Sequence, residues 1–268
     1  MDDKDFLQGR LRDLADRTLR NDYLTHSAFL DPYGAFVFDD LLRRGGSVGE
    51  GQGALEGVPC FLYGGYEDAE RCCAVFLPSY LDREAFLEGE REDPQTVTCL
   101  EIRPLQDKFA DDLTHRDFLG ALMHLGIERE QVGDILTRDS RAFVFVMKDI
   151  GPFILSELTR VRHTVVSVRE VPLSDCQIRP VLEERTGSVA SERLDAVAAM
   201  AFKLSRTTAA KLIQGEKAAV DGRLVTDPDR RLVPGQKISL RGYGKCIYQG
   251  EVKRTKKDRL MVRVSLYR

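Results

Sequence analysis

A chain of 268 residues, 43% hydrophobic and 31% charged, fits two or three small domains and is too apolar to be disordered. No apolar run approaches the roughly 20 residues of a membrane helix, and the acidic start Met1-Asp2-Asp3-Lys4-Asp5 is unlike a signal peptide, so a cytoplasmic protein with no membrane partner is expected. The net charge of −3 hides a division: residues 1–187 carry 22 Lys+Arg against 35 Asp+Glu, and residues 188–268 carry 18 against 8, so an acidic body of −13 bears a basic module of +10.

Leu7, Leu11, Leu14 and Thr18 recur at helical spacing and predict a first helix. A second follows Asp31-Pro32, where Asp can cap and Pro fits the first turn. A Gly-rich loop, residues 43–57, leads to β-like runs at 58–63 and 72–77, giving a small α/β domain over residues 1–85. The loop contains a formal G-x-G-x-x-A at 49–54, but no apolar strand precedes it. It is read as a connection, without a dinucleotide cofactor.

The middle segment reads strand, helix, strand, strand, helix, strand, with strands at 96–103, 133–136, 142–148 and 165–171. Thr114 as N-cap, Asp117 three residues on and Gly126 as stop frame the helix from His115 to Leu125. The order βαββαβ is ferredoxin-like, as in RNA-recognition modules, and is assigned to residues 86–178. In the strand at 141–148, Phe143 and Phe145 share a face; a buried strand is the favoured reading, and base stacking the alternative. Residues 176–190 break periodicity at Pro180, Thr186, Gly187 and Ser188 and are read as a linker. Six cysteines and four histidines (Cys60, Cys72, Cys73, Cys99, Cys176 and Cys246; His26, His115, His124 and His163) form neither C-x-x-C nor H-x-x-x-H pairs, so reduced thiols and no metal site are expected.

The C-terminal module, residues 186–268, opens with a helix capped by Ser191, its apolar residues Leu194, Val197, Ala198 and Ala201 on one face. Ser205 caps a second helix that Gly215 ends. Asp221-Gly222 signals a two-residue type I′ hairpin, and strands follow at 237–241 and 259–266. This order, with RLD, KLSR, LIQGEKAAVDG and VPGQKISLRGYGK, closely resembles the S4 RNA-binding domain over most of residues 189–250. The resemblance implies that Arg193, Lys203, Ser205, Arg206, Thr207, Lys211, Gln214, Lys217, Arg241 and Lys245 face RNA. Thr207, Lys211 and Gln214 fall on one helical face by spacing alone. Asp221 replaces the usual Asn at the hairpin tip and Ala219 a common basic residue, so the hairpin should contribute less to RNA than is typical. The basic stretch 253–257 is read as a turn and as a candidate for a second phosphate contact.

S4 domains are appended to several enzymes, but no H-I-G-H or K-M-S-K-S pair marks a synthetase. Asp195 in Arg193-Leu194-Asp195 lies inside the S4 helix, without the T-x-G-L of a pseudouridine synthase. His115-Arg116-Asp117 imitates a kinase loop, but Leu122 stands where the metal-binding Asn is needed. The stretches GGYEDAERCCAVFLP (64–78) and HRDFLGALMHLGIEREQVGDIL (115–136), with the S4 region, resemble the YlmH family. That resemblance implies an α+β protein of three parts: a small N-terminal α/β domain, an RRM-like middle domain and a C-terminal S4 domain. The family has no known enzymatic reaction, and the missing acid–base, metal and cofactor motifs point the same way, so a non-catalytic monomer with no cofactor is expected. Its partners would be the ribosome, rRNA of the large subunit and peptidyl-tRNA, in ribosome-associated quality control. The alternatives are an S4-containing RNA-modifying enzyme, or an adaptor linked to cell division.

Overall fold

In the computed structural model, residues 3–44, 52–67, 69–106, 108, 110–176, 182–254 and 259–267 are described. The sequence expectations at 49–51 of the G-x-G-x-x-A stretch and 255–257 of the basic stretch lie outside them. The chain divides into two compact units, residues 1–179 and 180–268.

The first unit begins with α1 (Asp3–Asn21), which turns Leu11, Ala15 and Thr18 inward, and α2 (Pro32–Arg44), whose Phe38, Leu41 and Leu42 are buried. Asp31 starts α2 by accepting the Gly34 N–H at 2.7 Å. The helices pack on an antiparallel sheet ordered β1-β4-β3-β2, made of β1 (Thr25–His26), β2 (Gln52–Leu55), β3 (Val58–Tyr63) and β4 (Cys73–Phe76). Alternation along the strands divides the core. Val58, Cys60, Ala74 and Phe76 meet α1 and α2, whereas Phe61, Tyr63, Cys73 and Val75 point to the opposite side. A sheet buried on both faces explains why these strands read as unbroken apolar runs.

What covers that second side is the middle of the chain. β5 (Val97–Pro104), β6 (Val132–Arg138), β7 (Arg141–Met147), β8 (Arg160–Val161) and β9 (Thr164–Val171) form an antiparallel sheet ordered β6-β7-β5-β9-β8. With α4 (His115–His124) and α5 (Gly151–Glu157), this is the expected βαββαβ order. Thr114 and Asp117 close the capping box, the Thr114 N–H and hydroxyl donating to the Asp117 carboxylate at 2.9 and 2.7 Å. Leu100, Ile102, Val144 and Val146 face the helices. Val97, Cys99, Phe145 and Met147 face Phe29, Phe61 and Tyr63 of the N-terminal part in one shared cluster. The boundary read at 85/86 falls inside α3 (Arg83–Glu92), a helix that the sequence reading did not include. α3 buries only Phe86 and Glu90, so its apolar signal is faint, and Asp82 caps it by accepting the Ala85 N–H at 2.8 Å.

Asp134 on β6 fastens the two halves of this unit. Its carboxylate accepts from the Tyr66 hydroxyl and the Glu70 N–H, both at 2.7 Å, and from the Arg71 N–H at 3.2 Å. The Arg71 guanidinium donates to the carbonyls of Val132, Arg129 and Phe29. Gly65, at φ +89°, lies where a Cβ would come within 2.7 Å of the Phe145 ring, so only glycine admits the contact. Gly65, Tyr66, Glu70 and Arg71 belong to the 64–78 stretch and Asp134 to the 115–136 stretch, and their contacts join the two layers.

The second unit is an antiparallel sheet ordered β10-β15-β14-β13-β11-β12 with two helices. Its elements are β10 (Leu182–Val189), α6 (Leu194–Ala201), α7 (Arg206–Gln214), β11 (Ala218–Val220), β12 (Arg223–Leu224), β13 (Lys237–Leu240), β14 (Gly244–Arg254) and β15 (Leu260–Tyr267). Leu194, Val197, Ile213, Ile238, Tyr248, Val262 and Val264 fill one core. Full burial of such side chains contributes roughly 1.5–3 kcal/mol each. Asp221 (φ 50°) and Gly222 (φ 74°) form the expected tight turn between β11 and β12.

Two expectations are corrected here. Residues 182–189, read as linker, are β10, paired with β15 along its whole length. It is an edge strand with little buried apolar surface, and Gly187, which disrupts its pattern, lets Met200 pack where a Cβ would lie 2.4 Å from Met200 Cγ. Ser191 does not cap α6. The N-cap is Arg193, and the first amides of α6 are satisfied from a distance, Leu194 N donating to Arg230 O at 2.9 Å and Asp195 N to Pro228 O at 3.1 Å.

Candidate RNA-binding face

The surface of α7 follows from its sequence. Ala209 and Ile213 are buried, which turns Thr207, Lys211 and Gln214 outward, and all three are exposed. Ser205 caps the helix, its Oγ accepting the Thr208 N–H at 3.0 Å and lying 2.7 Å from Thr208 Oγ1. Lys203, in the turn between α6 and α7, adopts a left-handed φ of 56° and is exposed. Just past α7, the Lys217 carbonyl accepts the Arg241 N–H at 2.8 Å, so Lys217 and the turn from β13 to β14 are brought side by side. Lys245 sits at the start of β14, opposite Ser239, and is half-buried. Among the described residues, no carboxylate lies within 4.0 Å of the charged ends of Lys203, Lys211, Lys217 or Arg241.

The remaining two cations are different. Arg206 donates from Nε to Asp195 at 2.8 Å, and Arg193 donates to the same carboxylate at 3.3 Å while also pairing with Asp229. Asp195 itself is 4% exposed. Desolvation pushes its carboxyl upward, but the bonds from Arg206 and Arg193 outweigh that and hold it below the ordinary carboxylate value. The sequence treated Asp195 as an S4 residue of no stated role. Its role is to fix two guanidinium groups, one at the start of each helix. Asp221 is likewise used internally, accepting from Lys237 N at 2.7 Å and Gln236 Nε2 at 2.9 Å, which fastens the hairpin.

One residue of this surface was not singled out from sequence. Tyr243, in the turn that carries Arg241, is 47% exposed. Its signal was available: an aromatic residue between two glycines, flanked by Arg241 and Lys245.

The middle sheet offers less. Phe145 is fully buried, its ring 4.7 Å from that of Tyr66, so the base-stacking alternative is withdrawn for it. Phe143 remains half-buried, beside an open cavity of about 940 Å³ lined also by Glu101, Asp111, Arg138, Arg141 and Arg169. Both carboxylates and guanidinium groups line it, and Arg169 is already paired with Glu101.

Comparison with known proteins agrees with this reading of the fold. Residues 91–175 match the family described as "Putative RNA-binding domain in YlmH", and residues 192–238 match the S4 domain. The Ribosome-associated protein quality control protein P2 of Bacillus subtilis (strain 168) is 34% identical over 200 residues, 74% of either chain. The chain belongs to the YlmH family. A structure titled Cell division protein ylmH from Streptococcus pneumoniae is similar at 21% identity and a TM-score of 0.48, covering 66% of this chain and 96% of that one. As a YlmH-family chain it is α+β, with the S4 domain in its second unit. None of the described helices is long and apolar enough to cross a membrane.

Proposed function

We propose that this protein is a non-catalytic RNA-binding factor of the large ribosomal subunit. It holds rRNA and the tRNA moiety of obstructed peptidyl-tRNA during ribosome-associated quality control. The observation that carries the reading is the outward cationic face of α7 together with the turn beside it, on a unit whose net charge opposes that of the rest of the chain. Exposed Lys and Arg on a rigid helix favour the phosphate backbone, and the designation of the Bacillus subtilis relative, a ribosome-associated quality control protein, points to the source of that RNA. Contact is assigned to Lys203, Thr207, Lys211, Gln214, Lys217, Arg241 and Lys245, with Arg193 and Arg206 presented by Asp195 and Ser205 setting the start of α7. Co-sedimentation with ribosomal subunits, followed by crosslink mapping, tests it. Crosslinks from α7 to large-subunit rRNA and to tRNA are expected; recovery away from ribosomes, or crosslinks confined to residues 1–179, would refute the reading.

A further inference from the structure

The turn from β13 to β14 carries an exposed aromatic residue, Tyr243, between Arg241 and Lys245. Leu240 accepts the Tyr243 N–H at 2.9 Å, closing a β-turn whose third residue, Gly242, has φ +89°. Gly244, at φ +118°, returns the chain to the sheet opposite Leu240. Both glycines beside Tyr243 take positive φ values that favour glycine, and the Tyr243 side chain is 47% exposed. The turn is anchored at both flanks. Arg241 N bonds the Lys217 carbonyl, and the Cβ position of Gly244 lies 3.9 Å from the ring of Phe202, the residue before Lys203. Arg241 and Lys245 thus flank Tyr243 at two residues' distance on either side, Lys217 is bonded to the same turn through its carbonyl, and Lys203 follows the residue that approaches Gly244. Among the described residues, no aromatic side chain or guanidinium stacks on it.

We propose that Tyr243 is a stacking platform for one unpaired nucleobase, and that the RNA this face prefers is a duplex interrupted by an extruded nucleotide. The inference rests on the RNA-binding reading above and adds its selectivity. An exposed aromatic side chain on a turn that also carries cations is the combination that holds an unstacked base, the ring covering the base and the cations its phosphates. A continuous A-form duplex would leave the ring without a base to cover it. The cations alone do not distinguish the two RNAs, so discrimination falls to the ring.

Two hairpin RNAs that differ only in one bulged nucleotide test this with the full-length protein, the bulge carrying 5-iodouridine for photocrosslinking. Wild type should bind the bulged RNA about tenfold more tightly and crosslink to the peptide containing Tyr243. Tyr243→Ala should lose the preference and the crosslink while keeping its affinity for the perfect duplex, and Tyr243→Phe should keep both. A Tyr243→Ala protein that still prefers the bulge, or a wild type that binds both RNAs alike, would overturn the proposal. Lys211→Ala separates it from the reading beneath, since that change should weaken both RNAs equally. If Lys211→Ala alters neither affinity, the reading fails and the proposal falls with it.

Discussion

Arg206, in the first turn of one S4 helix, donates to the buried carboxylate of Asp195 in the first turn of the other at 2.8 Å. The bond makes one cation of the proposed RNA-binding face part of the fold. Arg206→Ala leaves Asp195 with Arg193 alone, and because Arg206 is itself about half exposed the expected loss is about 1–2 kcal/mol. Lys211→Ala, on the outward face, should stay within about 0.5 kcal/mol of wild type. Urea unfolding of both variants checks the contrast, and equal midpoints would contradict it.

The same pair makes stability depend on pH. The two guanidinium groups hold the folded Asp195 carboxyl below its ordinary value. A depressed folded value contributes stability that is present above the unfolded value of about 3.9 and is lost as pH falls through the folded one. The difference in unfolding free energy between wild type and Asp195→Asn should therefore be constant near pH 6 and shrink below about pH 4. A difference that is flat down to pH 3 would rule out the assignment.

The thiols divide by burial. Desolvation pushes Cys60 and Cys246 up to about 12 and raises Cys73 as well, whereas Cys72 and Cys176 are only half-buried. With a disulfide-exchange reagent at pH 7.5, the native protein should label first at Cys72 and Cys176, with Cys60, Cys73 and Cys246 protected until unfolding. Mass mapping that finds rapid labelling at Cys246 would contradict this core.

Local chemistry was readable in the sequence wherever it acts over three or four residues. The Thr114–Asp117 capping box, the Asp31-Pro32 start of α2, the Ser205 cap and the Asp221-Gly222 turn all form as their spacing requires. What stayed hidden depends on distant partners. Arg193 replaces Ser191 as the cap because carbonyls of Pro228 and Arg230 satisfy the first amides of α6. β10 is a strand because β15 pairs with it, not because its own residues are apolar. Phe143 and Phe145 occupy one face of one strand, and only the N-terminal layer, absent from any local pattern, buries the second and leaves the first half open. The site showed the same division: the outward position of Lys211, with Thr207 and Gln214, could be read from helical spacing, and the Asp195 clamp could not.

The position of β10 also fixes how the second unit should be cut. A fragment of residues 180–268 keeps the strand and its core and should bind structured RNA, whereas one starting at residue 186 divides β10 and should be less stable. If the larger fragment neutralises about six phosphates, log K should fall with log salt at a slope of roughly −4 to −5. Residues 1–179 should bind far more weakly. Equal affinity of the two halves, or no salt dependence, would reject the charge argument.

The central claim is that the outward face of α7 and the turn just past it anchor the protein to the large subunit, and the double change Lys211→Ala with Lys217→Ala tests it most directly. Both side chains are exposed and neither is paired with a carboxylate among the described residues, so thermal unfolding should be unchanged. Each charge-assisted phosphate contact contributes roughly 1.5–3 kcal/mol, so the pair should weaken binding by about two to four decades if the two add. Co-sedimentation with large subunits at moderate salt should then be lost. A double variant that unfolds like wild type and still co-sediments like wild type would contradict the account.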